Sequence, residues 1–342
     1  MHVTTATAAF SYQNPTLSEK HASIMVQSRL VEHTYEKKPN KQIKSIRPAE
    51  PKIVTVPSTP KKPKETNKSS TTSSTDGNTE DMDDMHTRIN KLNLNNTSPA
   101  SAGNARMKYI MDDMHTRIAA RAKYKFRSHD THHSKHMPAL LSSEQYDVVL
   151  LGASGIERLL TTGAATPLNK RPSTLNLGVG GDNLENILYR LGRLPTKNGL
   201  VELFEHRRRR GMQGVKVWVL HTGGNNIRKG RPLKEREMSM YGIIVRVLLL
   251  LGAEGCKVIC TGQLLRKDVD DATVEESNKQ IETRVKEIDA EYGGGRVVYL
   301  PVPEGIPGKE KERLVDHVHL DELGYRIWAG AVNEELDRLL AS

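Results

Sequence analysis

Asp147-Val148-Val149-Leu150-Leu151-Gly152-Ala153-Ser154-Gly155 is the stretch on which the architecture turns. Four apolar residues, two of them β-branched, run unbroken between an aspartate and a glycine. The run lacks the alternation of a strand with one wet face, so it predicts a strand covered on both sides, as in a parallel sheet. The same texture recurs at Ser173–Leu177, Val215–His221, Cys256–Thr261 and Arg296–Leu300. Helical patterns lie between these runs. Leu184, Ile187, Leu188 and Leu191 share one helical face, with Asp182 suited to cap its start and Gly192 its end. Longer helices are predicted over Leu233–Leu251, Val274–Tyr292 and Asp321–Leu340. Strand-helix alternation with near-continuous apolar strands implies a parallel sheet with helices on both faces. Sites in such sheets lie beyond the C-terminal strand ends.

The residues at those ends share a chemistry. Gly152-Ala153-Ser154-Gly155 follows the first strand, Gly178-Val179-Gly180-Gly181-Asp182 the second and Thr222-Gly223-Gly224-Asn225-Asn226 the third. Asp316-His317-Val318-His319 comes shortly before the last helix. Singly, each reads as a turn or a chance pairing. Together they place a hydroxyl, free backbone N–H groups, a carboxamide, and a carboxylate three residues before an imidazole on one edge. Acyl transfer requires that set: a nucleophile, a base, an acid that orients it and oxyanion donors.

These four blocks carry a resemblance. Val148–Ser154 resembles the GDS block of the SGNH (GDSL-type) hydrolases, and Asn176–Asp182 their glycine block. Gly223–Asn226 resembles their GxND block, and Asp316–His319 their DxxH block. Asn176–Asp182, Asn225-Asn226 and His319–Trp328 look most like the platelet-activating-factor acetylhydrolase branch. The resemblance covers about Asp147 to Ala341. It implies a three-layer, flavodoxin-like α/β fold with a five-stranded parallel sheet. It also implies a serine esterase that cleaves a carboxylic ester, small-acyl or lipid-like, through an acyl-enzyme and without metal or organic cofactor. Ser154 corresponds to the nucleophile, His319 to the base and Asp316 to the acid that orients it. Ser154 N–H, Gly181 N–H and the Asn225 side chain correspond to the oxyanion hole. The family's GDS aspartate is Ala153 here, which raises the alternative of a catalytically weak or inactive SGNH-fold binding protein. Asn226 in place of Asp is a variant of that branch.

Composition divides the chain in two. Residues 1–140 carry 22 Lys and Arg against 13 Asp and Glu, whereas residues 141–342 carry 29 against 28. The +10 net charge thus belongs almost wholly to the first part. Pro57–Thr79 is Pro, Lys, Ser and Thr with almost nothing apolar, and such a segment cannot offset the entropy of ordering. Residues 1–140 are therefore expected to form a disordered basic tail, and residues 141–342 the hydrolase domain. The octapeptide Met-Asp-Asp-Met-His-Thr-Arg-Ile occurs at Met82–Ile89 and again at Met111–Ile118. It reads as a recent duplication or a short docking motif on a nascent helix. Seven basic residues from Arg106 to Arg127 read as a solvated stretch, with an acidic surface, membrane or nucleic acid as the partner such a stretch would meet. His129, His132, His133 and His136 lack the carboxylate or Cys that would complete a metal set. Arg207–Arg210 reads as solvated, with nuclear import the alternative.

Cys256 and Cys260 fall i, i+4 on one strand, roughly 13 Å apart. A disulfide needs Cα atoms within about 7 Å, so both are expected as free thiols. That expectation, with no secretory signal visible in the first thirty residues, points to the cytoplasm. The longest apolar run, Ile243–Leu251, is interrupted by Arg246 and falls short of the about 20 residues that span a bilayer.

Overall fold

The computed structural model describes residues 112–192, 199–306 and 311–341. In chain order the elements are α1 (112–121) and α2 (126–141), in which a π-helical turn, His132–His136, joins Phe126–Thr131 to Met137–Leu141. There follow β1 (Val148–Gly152), α3 (Ser154–Glu157), α4 (Pro167–Lys170), β2 (Thr174–Gly178), α5 (Leu184–Leu191) and α6 (Leu200–Arg209). The chain continues through β3 (Val217–His221), α7 (Glu235–Leu251), β4 (Lys257–Thr261), α8 (Asp271–Glu291), β5 (Val297–Leu300) and α9 (Glu322–Ala341).

All five strands are parallel, in the order β2-β1-β3-β4-β5. This is the flavodoxin-like order, whose switch point lies between β1 and β3. β1 is buried along its whole length, which explains its uninterrupted apolar run. Its side chains alternate between two layers. Val149 and Leu151 join the core formed with α5, α7 and α8, while Val148 and Leu150 pack with Trp328, Val332 and Leu336 of α9. Gly152 stands in register with Gly178 on one side and His221 on the other. Three strand ends are thus level, so the segments that follow them emerge at one edge.

The domain begins earlier than the composition implies. Helices α1 and α2 fall within the expected tail, yet Met114, Ile118 and Leu140 are buried in the larger core. Two apolar residues spaced i, i+4 suffice to dock α1, although charged neighbours hide them in any compositional average. Gly192 sits where an added Cβ would come within 2.8 Å of Ile118 Cγ2, so its glycine serves the close approach of α1. Its φ of −70° needs no glycine. The solvated reading of Arg207–Arg210 fails at Arg207 alone, since Arg208, Arg209 and Arg210 are exposed. Arg207 is buried and donates to the carbonyls of Leu140, at 2.9 Å, and Glu144, closing the C-terminal end of α2. Arg210 donates to Leu141 O at 3.1 Å. The tail proper, the copy at Met82–Ile89 and any partner of that tail lie outside the described residues.

Asp182 does not cap α5. Asn183 does, accepting from Asn186 N while the Asn186 side chain accepts from Asn183 N. Cys256 and Cys260 are free and buried, and burial pushes each thiol up to about 12. Among the described residues no helix is long and apolar enough to cross a membrane.

Two buried histidines make stability depend on pH. Burial pushes the His136 imidazole down to about 2, helped by Arg190, His132 and Lys135, and that of His221 down to about 4. An unfolded histidine binds its proton near pH 6.5, so between about pH 6.5 and 4 the unfolded chain holds more protons than the folded one. Stability is therefore full above that window and falls as the pH drops through it. At about pH 5 each imidazole should have cost about 2 kcal/mol. The thermal midpoint should fall by several degrees between neutral pH and that point, and a flat profile would refute the assignment.

Candidate active site

A hydrogen-bonded chain crosses the edge where β1, β2 and β3 end. Ser154, the first residue of α3, directly follows the turn that leaves β1. Its Oγ lies 2.8 Å from His319 Nε2, and His319 Nδ1 lies 2.6 Å from Asp316 Oδ2. The carboxylate beside Nδ1 requires that nitrogen to carry the hydrogen. Nε2 is then free to accept from the serine hydroxyl. An imidazole so held can take the proton of an attacking hydroxyl.

Asp316 is fixed from both sides. Its Oδ1 accepts from Val318 N at 2.9 Å and His319 N at 2.8 Å, so the short segment 316–319 folds around its own carboxylate. Burial alone would raise this carboxyl's pKa. The His319 ring and the two N–H groups outweigh it and hold the group well below the usual carboxylate range. The Arg158 guanidinium stands 3.6 Å from Oδ2. Asp316 thus stays ionised beside the imidazole. Tyr325, from α9, donates to Gly155 O at 3.2 Å and ties down the turn after Ser154.

The other expected site residues converge on the same edge. Asn225 lines the cleft beside Ser154 and His319. Its Nδ2 donates to Asp182 O at 2.8 Å, which uses one of its two hydrogens and holds the β3 turn against the glycine turn. Gly181 has φ +73°, a left-handed conformation that a side chain resists. Asn226 serves α5 instead: its Oδ1 accepts from Leu184 N at 3.0 Å and its Nδ2 donates to Glu185 Oε2 at 3.0 Å. Ala153 lines the cleft.

The sequence reading passed over the end of β4, although strand-end logic would have found it. Gln263 and Arg266 line the cleft from there. Gln263 Nε2 donates to Thr222 O at 2.9 Å, and Arg266 Nη1 to Gly224 O at 2.6 Å. Asp268 neutralises Arg266 through two contacts, at 2.8 and 2.6 Å. The same loop holds the histidine segment, since Lys267 N donates to His317 O at 2.8 Å. His221 lies behind the turn that follows β1, its Nδ1 2.7 Å from Thr261 Oγ1. None of these residues announces itself by composition. The four histidines of α2 form no metal set, and no such group of three or more His, Cys, Asp or Glu occurs among the described residues.

No protein-family model matches the chain, and no curated protein matches it. Several solved structures are similar to it. A candidate acylhydrolase of Bacteroides fragilis shares 16% identity over 64% of this chain and 100% of its own, with a TM-score of 0.45. A carbohydrate esterase family 3 protein from Talaromyces cellulolyticus shares 18% over 58% of this chain and 99% of its own, with a TM-score of 0.41. A member of the lipolytic protein G-D-S-L family from Veillonella parvula shares 18% over 56% of this chain and 98% of its own, with a TM-score of 0.38.

Proposed function

We propose that the protein is a serine carboxylic-ester hydrolase acting on short acyl groups. The observation that carries this reading is the chain Ser154–His319–Asp316, with links of 2.8 and 2.6 Å. In the first step Ser154 Oγ attacks the ester carbonyl while His319 Nε2 takes its proton. The resulting oxyanion is held by the N–H groups of Ser154 and Gly181 and by the second Asn225 Nδ2 hydrogen. His319 returns the proton to the departing alkoxide, so the alcohol leaves and Ser154 remains acylated. Water then attacks the acyl-enzyme by the same route, releasing the acid and restoring the hydroxyl.

The preference for short chains rests on the room beside Ser154. The cleft has a volume of about 40 Å³, and a single water already needs roughly 10–15 Å³ on the same scale. That leaves room for a few atoms such as those of an acetyl group, and a longer acyl chain would have to run out through the open side of the cleft.

A series of p-nitrophenyl esters of rising chain length tests this directly. kcat/KM should be greatest on the acetate and fall once the acyl outgrows the cleft, about 10- to 200-fold for the first methylene that the walls beside Ser154 cannot take. A fluorophosphonate probe should label the protein stoichiometrically. Faster cleavage of the octanoate ester would refute the short-acyl preference alone. No hydrolysis of any ester, together with no labelling, would refute the hydrolase.

A further inference from the structure

The Gly180–Gly181 peptide is the least constrained part of the proposed oxyanion hole. Glycine on both sides leaves no Cβ to select one orientation of the peptide plane. A half-turn of that plane would exchange the Gly181 N–H for the Gly180 carbonyl, replacing a donor with an acceptor. Something outside the turn must choose between them.

The choice is made by the segment between α1 and α2. Lys125 Nζ donates to Gly180 O at 3.0 Å, which is the carbonyl of the peptide whose N–H belongs to Gly181. In a trans peptide the C=O and N–H point opposite ways, so holding the oxygen on Lys125 turns the N–H away from it. An ammonium on the carbonyl also polarises the peptide and strengthens its N–H as a donor. The ammonium is itself anchored. Asp182, wholly buried, offers Oδ1 at 3.5 Å to Lys125 and accepts there from Ser128 Oγ, while Arg190 Nε binds Oδ2 at 2.9 Å. The backbone beneath it is pinned as well. Lys123 N donates to Glu185 O at 3.0 Å, and Asn186 Nδ2 donates to Lys123 O at 2.9 Å. Arg127 clasps Glu157 of α3 at 2.8 and 3.0 Å, so one strap touches both the glycine turn and the nucleophile helix.

We propose that Lys125 is a positioning residue that sets and polarises the Gly181 oxyanion donor, making the strap around residues 123–128 an integral part of the active site. This rests on the ester-hydrolase reading above. The two are separated by measuring the unmodified full-length protein beside its variants on p-nitrophenyl acetate. Lys125→Met removes the donor and the charge while keeping much of the side chain's bulk. It should lower kcat roughly 10- to 100-fold, less than the 100- to 1000-fold typical of losing an oxyanion donor outright. KM should change less than about twofold, because the contact matters where charge develops. Affinity for a trifluoromethyl ketone, whose serine adduct carries an oxyanion, should weaken by the same factor as kcat/KM. Lys125→Arg should recover most of the loss.

If Lys125→Met keeps its kcat within about twofold of an active parent, the inference is wrong and the hydrolase stands. The inference is also wrong if kcat falls only in step with a collapse of the thermal midpoint, or if Lys125→Arg recovers nothing. An unmodified protein that neither cleaves the ester nor takes the fluorophosphonate overturns both readings.

Discussion

Ser154→Ala should remove ester hydrolysis almost entirely, with kcat falling on the order of a million-fold, as when a triad serine is deleted elsewhere. The physical reason is that the reaction loses its covalent route. What would remain is the proposed oxyanion hole and an imidazole with no hydroxyl to activate. Fluorophosphonate labelling should vanish with it, since no other described serine or threonine faces His319 within hydrogen-bond distance of Nε2. The fold should survive. Ser154 gives up one partly buried hydrogen bond, and the turn around it stays held by Glu157 N to Ala153 O at 3.0 Å and by Tyr325 on Gly155 O. The thermal midpoint should therefore move little. A variant that retains more than about a thousandth of the parent rate would show that Ser154 is not the nucleophile.

The adjacent asparagines should behave differently from each other. In the proposed mechanism Asn225→Ala removes a donor that acts mainly on the transition state, so kcat should fall roughly 100- to 1000-fold while KM changes little. Asn226→Ala leaves Leu184 N–H, at the start of α5, without its acceptor, while the Asn183 cap stays in place. That should cost about 1–2 kcal/mol of stability and leave kcat near the parent value. Steady-state kinetics and thermal melts on the two variants read both effects. Equal rate losses would mean that the carboxamide at Asn225 has no special place in the reaction.

Much of this site could be read in order along the chain, because a parallel sheet delivers strand ends to one edge whatever its helices do. Val148–Leu151 was legible as a buried strand, and Ser154, Asn225, Asp316 and His319 were legible as polar residues placed just past or near such ends. Asp182 was misread, since a carboxylate before a helix looks like a cap. Only the arrival of Arg190, Ser128 and Lys125 from other elements reveals its use. Gln263 and Arg266 were overlooked because their contacts, to Thr222 O and Gly224 O, are to backbone on a different loop.

The sequence by itself determined the layered α/β architecture, since near-continuous apolar runs that alternate with amphipathic helices fit a parallel sheet covered on both faces. It also marked Ser154, Asn225, Asp316 and His319 as polar groups near its edge. Tertiary structure alone decided where the domain starts and what steadies the site. Met114 and Ile118 are two apolar side chains in a charged helix, too few to alter any local average, and become core contacts only in the fold, where Gly192 leaves room for Ile118. Lys125 is one basic residue among many until the chain brings it across 55 positions to the carbonyl of Gly180. Hydrophobic burial is a sum over neighbours in sequence and so leaves a pattern there. A single long-range hydrogen bond leaves none, because its partner is chosen by the fold.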